Sequence, residues 1–401
     1  MSTQTTTADP KPTVKTSRRL SIDIRQYGIL AALVIIMMLF EVLTGGRLLM
    51  PGNVNNLIQQ NSYVLILAIG MVMVIIGGHI DLSVGSVVAM VGAITALAMN
   101  NWGFPWWAAV LLALLTGCLV GAWQGFWVAY MGIPAFIVTL AGMMLFRGLT
   151  LVLLYGGTIG GLPRQFVTIG AGWLPSAFGT AGKLDVLTLV LGGLAAIALA
   201  TQLIRSRMSR QKLGFPIEGA VSFWAKVVVA FGAIMALCWQ LANYSGTPVI
   251  LIILAILILT YTFVLNRTVF GRHVYAIGGN LFSAVMSGVK TKRVNFAIFV
   301  NMGMLAGLAA VVSTSRAGSA VASAGQNYEL DAIAAVFIGG AAVQGGVGTV
   351  TGAVIGGLVM GVLNMGLSIL SVDAAWQMAI KGLVLLMAVA FDLINKRRGR
   401  R

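Results

Sequence analysis

Ionisable side chains are scarce in this sequence: 9% of its 401 residues are charged, only ten are acidic, and histidine and cysteine occur twice each. Each shortage closes off a class of chemistry. Both cysteines, Cys118 and Cys238, fall within long apolar runs, which leaves no disulfide framework and no thiolate metal site. Two histidines are too few for a His-rich metal centre. There is no HExxH, no CxxC, no GxSxG elbow in a polar setting, and no GxxxxGK(S/T) loop to cradle the phosphates of ATP. The chain therefore reads as a non-enzyme without metal or cofactor. It also lacks the polar residues to clothe a soluble fold, since 59% of it is hydrophobic and its mean hydropathy is +0.95.

What is present is lipid-crossing sequence. A bilayer core of about 30 Å needs roughly 20 apolar helical residues. Twelve stretches qualify, at 28–44, 60–78, 82–99, 106–130, 134–155, 184–204, 222–243, 247–265, 294–315, 328–344, 347–370 and 374–394. Several are short or interrupted by glycine. The expected fold is an all-α integral membrane protein, a polytopic bundle of about ten to twelve transmembrane helices with broken or re-entrant Gly-rich segments. The apolar runs lack the alternation that a transmembrane barrel requires. The transmembrane domain occupies 26–395, between a cytoplasmic polar tail at 1–25 and a basic cytoplasmic tail at 396–401.

The net charge of +16 follows from topology. With both termini cytoplasmic, the N-tail, 205–226, 266–293 and the C-tail each carry five Lys or Arg, and the opposite connections carry only Arg47, Arg164, Lys183 and Arg316. This is a strong positive-inside bias. Charge partitioned in this way needs no nucleic acid to explain it. The first 25 residues are too long and polar for a signal peptide, and the apolar stretch that follows continues into a full span.

Gly occurs 50 times. Gly117, Gly121 and Gly125, and Gly352 with Gly356, have the small-xxx-small spacing that lets helices approach closely in lipid. A weak internal echo links IGGHIDLSVGS (76–86) to IGGAAVQGGVG (338–348), each a Gly-rich break between apolar stretches. No soluble domain interrupts the chain. Its longest polar-leaning connections are 156–183, 205–226 and 266–293.

The first break places Asp81 and His79 between two apolar stretches, where an ionisable group marks a functional position by default. Asp81 and Ser83 read first as caps for a helix starting near Leu82; direct contact with a solute and a proton or cation site are the alternatives. Arg147 and Lys381 lie within expected spans and must each pair with a carboxylate or with carbonyls, or reach the interface; anchoring structure is the first reading and substrate binding the other. Glu329 and Asp331 are expected to cap the next span at Leu330, contact with a partner being the other reading. In 266–293, Gly271, Gly278 and Gly279 punctuate the run, and Asn280 can cap a short amphipathic helix from Leu281 to Ser287 that Gly288 ends. Such a helix suits docking into a groove on another protein; an ordinary basic loop is the plainer reading.

Four ordered motifs, GGHIDLSVGS (77–86), PAFIVTLAGMMLFRGL (134–149), YAIGGN to SGV (275–289) and YELDAIAAVFIGG to GGVGTVTGAVIGG (328–357), resemble the permease subunits of monosaccharide ABC importers. The resemblance spans nearly all of 28–395, and the extra pair of spans around 184–243 brings the chain closer to the xylose and multiple-monosaccharide permeases than to the ribose type. It implies a permease homodimer in the bacterial inner membrane, a cytoplasmic ABC ATPase subunit and a periplasmic sugar-binding protein. It also implies an ATPase-coupling loop built on Gly271, Tyr275, Gly278, Gly279, Asn280, Ala284 and Gly288. Polar candidates for the sugar pathway are Asn55, Gln59, Asn61, Asp81, Ser83 and Gln124. A proton-coupled secondary sugar transporter, with Asp81 in a carboxylate relay, is the alternative of the same topology; a non-transporting membrane receptor or scaffold is a second.

Overall fold

The computed structural model describes residues 24–182, 184–215 and 219–398. The expectations for Lys183, for residues 1–23 of the first tail and for 399–401 of the second fall on residues outside these ranges.

Long apolar runs become helices because only a helix satisfies every backbone N–H and C=O within one segment when no water is at hand. In chain order the helices are α1 (Ile24–Leu43), α2 (Pro51–Ile76), α3 (Val84–Asn100), α4 (Trp106–Ala129), α5 (Ala135–Leu154), α6 (Arg164–Ala171), α7 (Val186–Lys212), α8 (Ala220–Ala242), α9 (Val249–Arg267), α10 (Val269–Gly279), α11 (Leu281–Met286), α12 (Thr291–Ala317), α13 (Tyr328–Ile338), α14 (Val350–Ile369) and α15 (Ala374–Arg398). Among the described residues strand is confined to two-residue ribbons: Thr158–Ile159 pairs with Ala320–Val321, and Thr180–Ala181 with Leu184–Asp185.

Eight of these helices, α2, α4, α5, α7, α8, α9, α12 and α14, are long and apolar enough to cross a bilayer, and three shorter apolar helices lie at Gly28–Leu43, Val84–Asn100 and Ala374–Ala390. The span expected at 328–344 is corrected. Its helix, α13, has 11 residues, which at 1.5 Å each reach roughly 16 Å, about half a bilayer core. Gly339 and Gly340, the latter at φ +85°, end it. The span expected at 60–78 begins earlier, at Pro51, whose missing N–H costs nothing in a first helical turn.

α2 is the hub. In its apolar window 89% of residues are buried inside the protein, against 17% for α7 and for α8, which form the periphery. Glycine sets the spacing elsewhere. Gly117 and Gly121 of α4 lie against backbone oxygens of Gly303 and Phe299 on α12, and Gly303 and Gly307 return the fit against Gly117 and Ala113. Gly352 and Gly356 seat α14 on the Ala335 carbonyl of α13 and the Gly339 carbonyl just past it in the same way. Both small-residue motifs are thus helix-packing devices.

One end of the bundle gathers α6, the α2 start and the α12 end: Trp173 Nε1 donates to Asn55 Oδ1 at 3.1 Å, and Gly170 packs on Ser315. The opposite end gathers the α2 terminus, α10, α11 and the 339–349 loop.

Candidate functional site

The middle of α2 reads Gln59, Gln60, Asn61, Ser62, Tyr63, an unusual polar run in a helix that is apolar from Val64 to its end. It faces Ser313 and Arg316 of α12, Tyr328 of α13, Asn364 and Ser368 of α14, and Gln377 and Lys381 of α15 across a cavity of about 320 Å³. That volume lies at the small end of small-molecule sites. Of its thirteen lining residues, only Ala317 has a side chain without a polar atom, so the cavity suits a solute rich in hydroxyls rather than an apolar one.

Its framework is held by paired groups. The rings of Tyr63 and Tyr328 stack at 3.6 Å with an interplanar angle of 16°. Tyr63 Oη donates to Asp331 Oδ2 at 3.0 Å. Lys381 Nζ donates to the same oxygen at 3.3 Å and lies 3.2 Å from Oδ1. Asn364 Nδ2 donates to Asn61 Oδ1 at 3.2 Å, while Asn61 Nδ2 donates back to Leu57 O at 3.0 Å. Gln59 Nε2, Arg316 Nε and Asn364 Oδ1 are buried without a protein partner. Buried polar atoms are nearly always satisfied, so such donors and acceptors around one cavity favour a hydrogen-bonding ligand there.

Of the six pathway residues named from sequence, the structure brings Gln59 and Asn61 to this cavity. Asn55 instead fastens α2 to Trp173. Asp81, Ser83 and Gln124 form a buried cluster of their own: Asp81 Oδ1 accepts from Ser83 N at 2.8 Å and Ser83 Oγ at 2.7 Å, and Gln124 Nε2 donates to Ser83 Oγ at 2.6 Å. The capping expectation needs correction here, because α3 starts at Val84 and the Ser83 side chain caps nothing. Asp81 tightens the turn just before the helix. Asp331 likewise serves as partner to Lys381 and Tyr63 instead of capping α13, which begins at Tyr328. Arg147 does anchor structure. Its Nη1 donates to Ala322 O at 3.2 Å and Ala324 O at 2.7 Å, satisfying carbonyls of the turns ahead of α13. Gly325 of that segment, at φ +68°, packs against the backbone of Gly85, so the stretch preceding α13 meets the first turn of α3.

At the far end of α2 a junction of glycines forms. Gly346 N donates to Ile76 O at 2.8 Å. Gly278 of α10 lies so close that a methyl group there would overlap Ile76 O and stand 2.6 Å from Gly346 N. The echoing breaks at 77–83 and 339–349 are therefore neighbours in space, with Gly345 and Gly78 in contact. The segment between Gly271 and Gly288 is helical rather than merely punctuated. Thr268 Oγ1 caps α10 by accepting from Gly271 N at 3.2 Å, and Asn280 Oδ1 caps α11 by accepting from Ser283 N at 2.9 Å. Gly288 at φ +79° follows the helix, as expected. Tyr275 Oη donates to Gly348 O at 2.7 Å, and burial pushes this phenol above its ordinary range. Ala284 is buried, whereas Leu281, Phe282, Val285 and Met286 are exposed.

Sequence inspection missed Tyr63, Arg316, Tyr328, Asn364, Ser368 and Gln377 as cavity residues. The one signal was the polar run at 59–63; the others are single polar residues scattered over four helices.

Residues 53–389 match the family described as branched-chain amino acid transport system / permease component. The chain is 39% identical over 378 residues to the xylose transport system permease protein XylH of Haemophilus influenzae, covering 94% of this chain and 98% of that protein. It is 38% identical to XylH of Escherichia coli K12, covering 94% of each. It is also 32% identical over 350 residues to the ribose import permease protein RbsC of the same strain, covering 86% of each. No solved structure matches. A multi-pass helical bundle matched over most of its length places this chain in the transport-system permease family.

Proposed function

We propose that the chain is the membrane subunit of a binding-protein-dependent ABC importer that passes xylose or a related neutral aldose into the cytoplasm. The observation that carries this reading is a hydroxyl-compatible cavity and a docking segment joined by one helix. Tyr63 and Ile76 both lie on α2, about 20 Å apart at 1.5 Å per residue. A displacement of α10 and α11 would reach the cavity through a single rigid element. The exposed apolar residues of α11 are the kind of surface that seats in a groove on a partner, here a separate ATPase chain. Gly271, Tyr275, Gly278, Gly279, Asn280, Ala284 and Gly288 would form the lever. Stacked tyrosine faces and amide groups offer weak contacts to a sugar, and most affinity would reside in an extracytoplasmic binding protein. The family description names branched-chain amino acids, but the relatives compared above are named for xylose and ribose, and the polar lining disfavours a branched aliphatic side chain.

In vesicles carrying the permease, its ATPase and its binding protein, xylose uptake is expected to fall to background when the ATPase carries a substitution that prevents hydrolysis. Uptake at the full rate would point instead to a proton-coupled transporter. The inner-membrane orientation, with both termini cytoplasmic, predicts that cysteines introduced as Ser209→Cys and Ser176→Cys label from opposite sides of sealed vesicles. Labelling of both from the same side would overturn the number of spans between them.

A further inference from the structure

A second cleft, of about 770 Å³, opens at the end of the bundle that carries α10, between the C-terminal turns of α7 and the last residue of α9. Arg205, Arg210 and Arg267 line it together with Thr201, Gln202 and Ser209. Among the described residues no carboxylate pairs with any of these three arginines. The neighbouring Arg207 is engaged elsewhere, its guanidinium 4.5 Å above the Phe223 ring.

The order of residues along α7 is the informative part. Leu194, Ala198, Thr201 and Arg205 succeed one another at spacings of four, three and four, so they form one stripe of the helix surface. Chemistry along that stripe runs from exposed aliphatic to hydroxyl to guanidinium. Leu194 is 60% exposed, and Val190 and Ile197 beside it are exposed as well. α7 is also one of the two least buried spans, so this stripe faces outward from the bundle. A concave basic site at the end of an outward apolar stripe has the shape of an amphiphile with an anionic head.

We propose that this cleft holds the phosphodiester head group of an anionic phospholipid, its acyl chains lying along the Val190, Leu194 and Ile197 face of α7. Guanidinium groups match phosphate geometry through paired N–H donors, and Gln202 and Ser209 supply further side-chain donors to the remaining oxygens. Basic pockets between transmembrane helices favour such lipids by charge as well as shape. The site is independent of the sugar pathway and of which face of the membrane is cytoplasmic.

The test uses the purified full chain and native mass spectrometry with added phosphatidylglycerol, phosphatidylcholine of the same acyl chains, or inorganic phosphate. The triple variant Arg205→Gln, Arg210→Gln, Arg267→Gln is expected to bind phosphatidylglycerol about a hundredfold more weakly, the sum of three surface-charge contributions. Phosphatidylcholine retention should stay unchanged, which also reports that the helical surface is intact, since Gln is nearly as good a helix former as Arg. A second triple variant, Lys290→Gln, Lys292→Gln, Arg293→Gln, should leave phosphatidylglycerol binding within about threefold of wild type. The proposal is overturned if the cleft variant binds phosphatidylglycerol as the wild type does, or if the second variant loses as much. It is equally overturned if inorganic phosphate displaces the lipid at matched concentration, for that would define a free-anion site.

Discussion

Gly278→Val is expected to abolish sugar uptake in vesicles carrying all partners while leaving the chain in the membrane, and Gly279→Ala is expected to transport at close to the wild-type rate. The two glycines are adjacent at the end of α10, yet their surroundings differ completely. A side-chain carbon at 278 would overlap the carbonyl oxygen that ends α2 and crowd Gly346 N, both of them backbone atoms that cannot rotate away. At 279 nothing lies within 4 Å of that position. Valine at 278 must therefore separate α10 from α2 and break the 2.8 Å bond between Gly346 N and Ile76 O. Overpacking of this kind costs about 1–3 kcal/mol, too little to unfold the bundle but enough to open the junction. ATPase turnover that continues while uptake falls more than tenfold would be the signature. Wild-type uptake by Gly278→Val would show that the contact between α10 and α2 transmits nothing.

Lys381→Met is expected to be the most damaging single change at the cavity, costing about 3 kcal/mol of stability because it leaves Asp331 buried without its cation. Asp331 is 3% exposed and Lys381 23%, so the carboxylate has little access to solvent once the ammonium is gone. Tyr63 Oη would remain as a donor, but one neutral hydroxyl does not neutralise a charge. Combining Lys381→Met with Asp331→Asn should restore most of the loss, and thermal unfolding in detergent across the four proteins gives the coupling directly. If the double variant is no more stable than Lys381→Met alone, the ion pair is not what holds α15 to α13. Uptake by the double variant then tests the site itself. A structural pair permits transport once stability returns, whereas a pair that shapes the pathway does not.

Much of this molecule was readable locally. Each long apolar run carries its own instruction to become a helix, because backbone hydrogen bonding in lipid is settled within the segment, and eleven of the twelve expected stretches contain a helix of 16 residues or more. The cap at Asn280 and the turn at Gly288 depend on residues only three to eight positions apart, and both were visible for that reason. The small-residue spacings of α4 and α14 announced close packing, although not the Gly303 and Gly307 partners on α12. The half-length of α13 escaped notice because Gly339 and Gly340 sit inside an otherwise unbroken apolar run, like many glycines elsewhere that interrupt nothing.

Composition and the length of the apolar runs by themselves determined that this chain is a polytopic membrane protein and where most of its helices lie, and Asn280 and Gly288 marked a short capped helix between two of them. Only the tertiary structure decided which polar residues share a cavity, that Lys381 answers Asp331 fifty residues away, and that Gly278 rather than Gly279 bears on the hub helix. The reason is one of range. Secondary structure in lipid follows from interactions within a few turns, whereas a site is made where distant segments meet, and single polar residues on separate helices do not indicate in advance which of them will face one another.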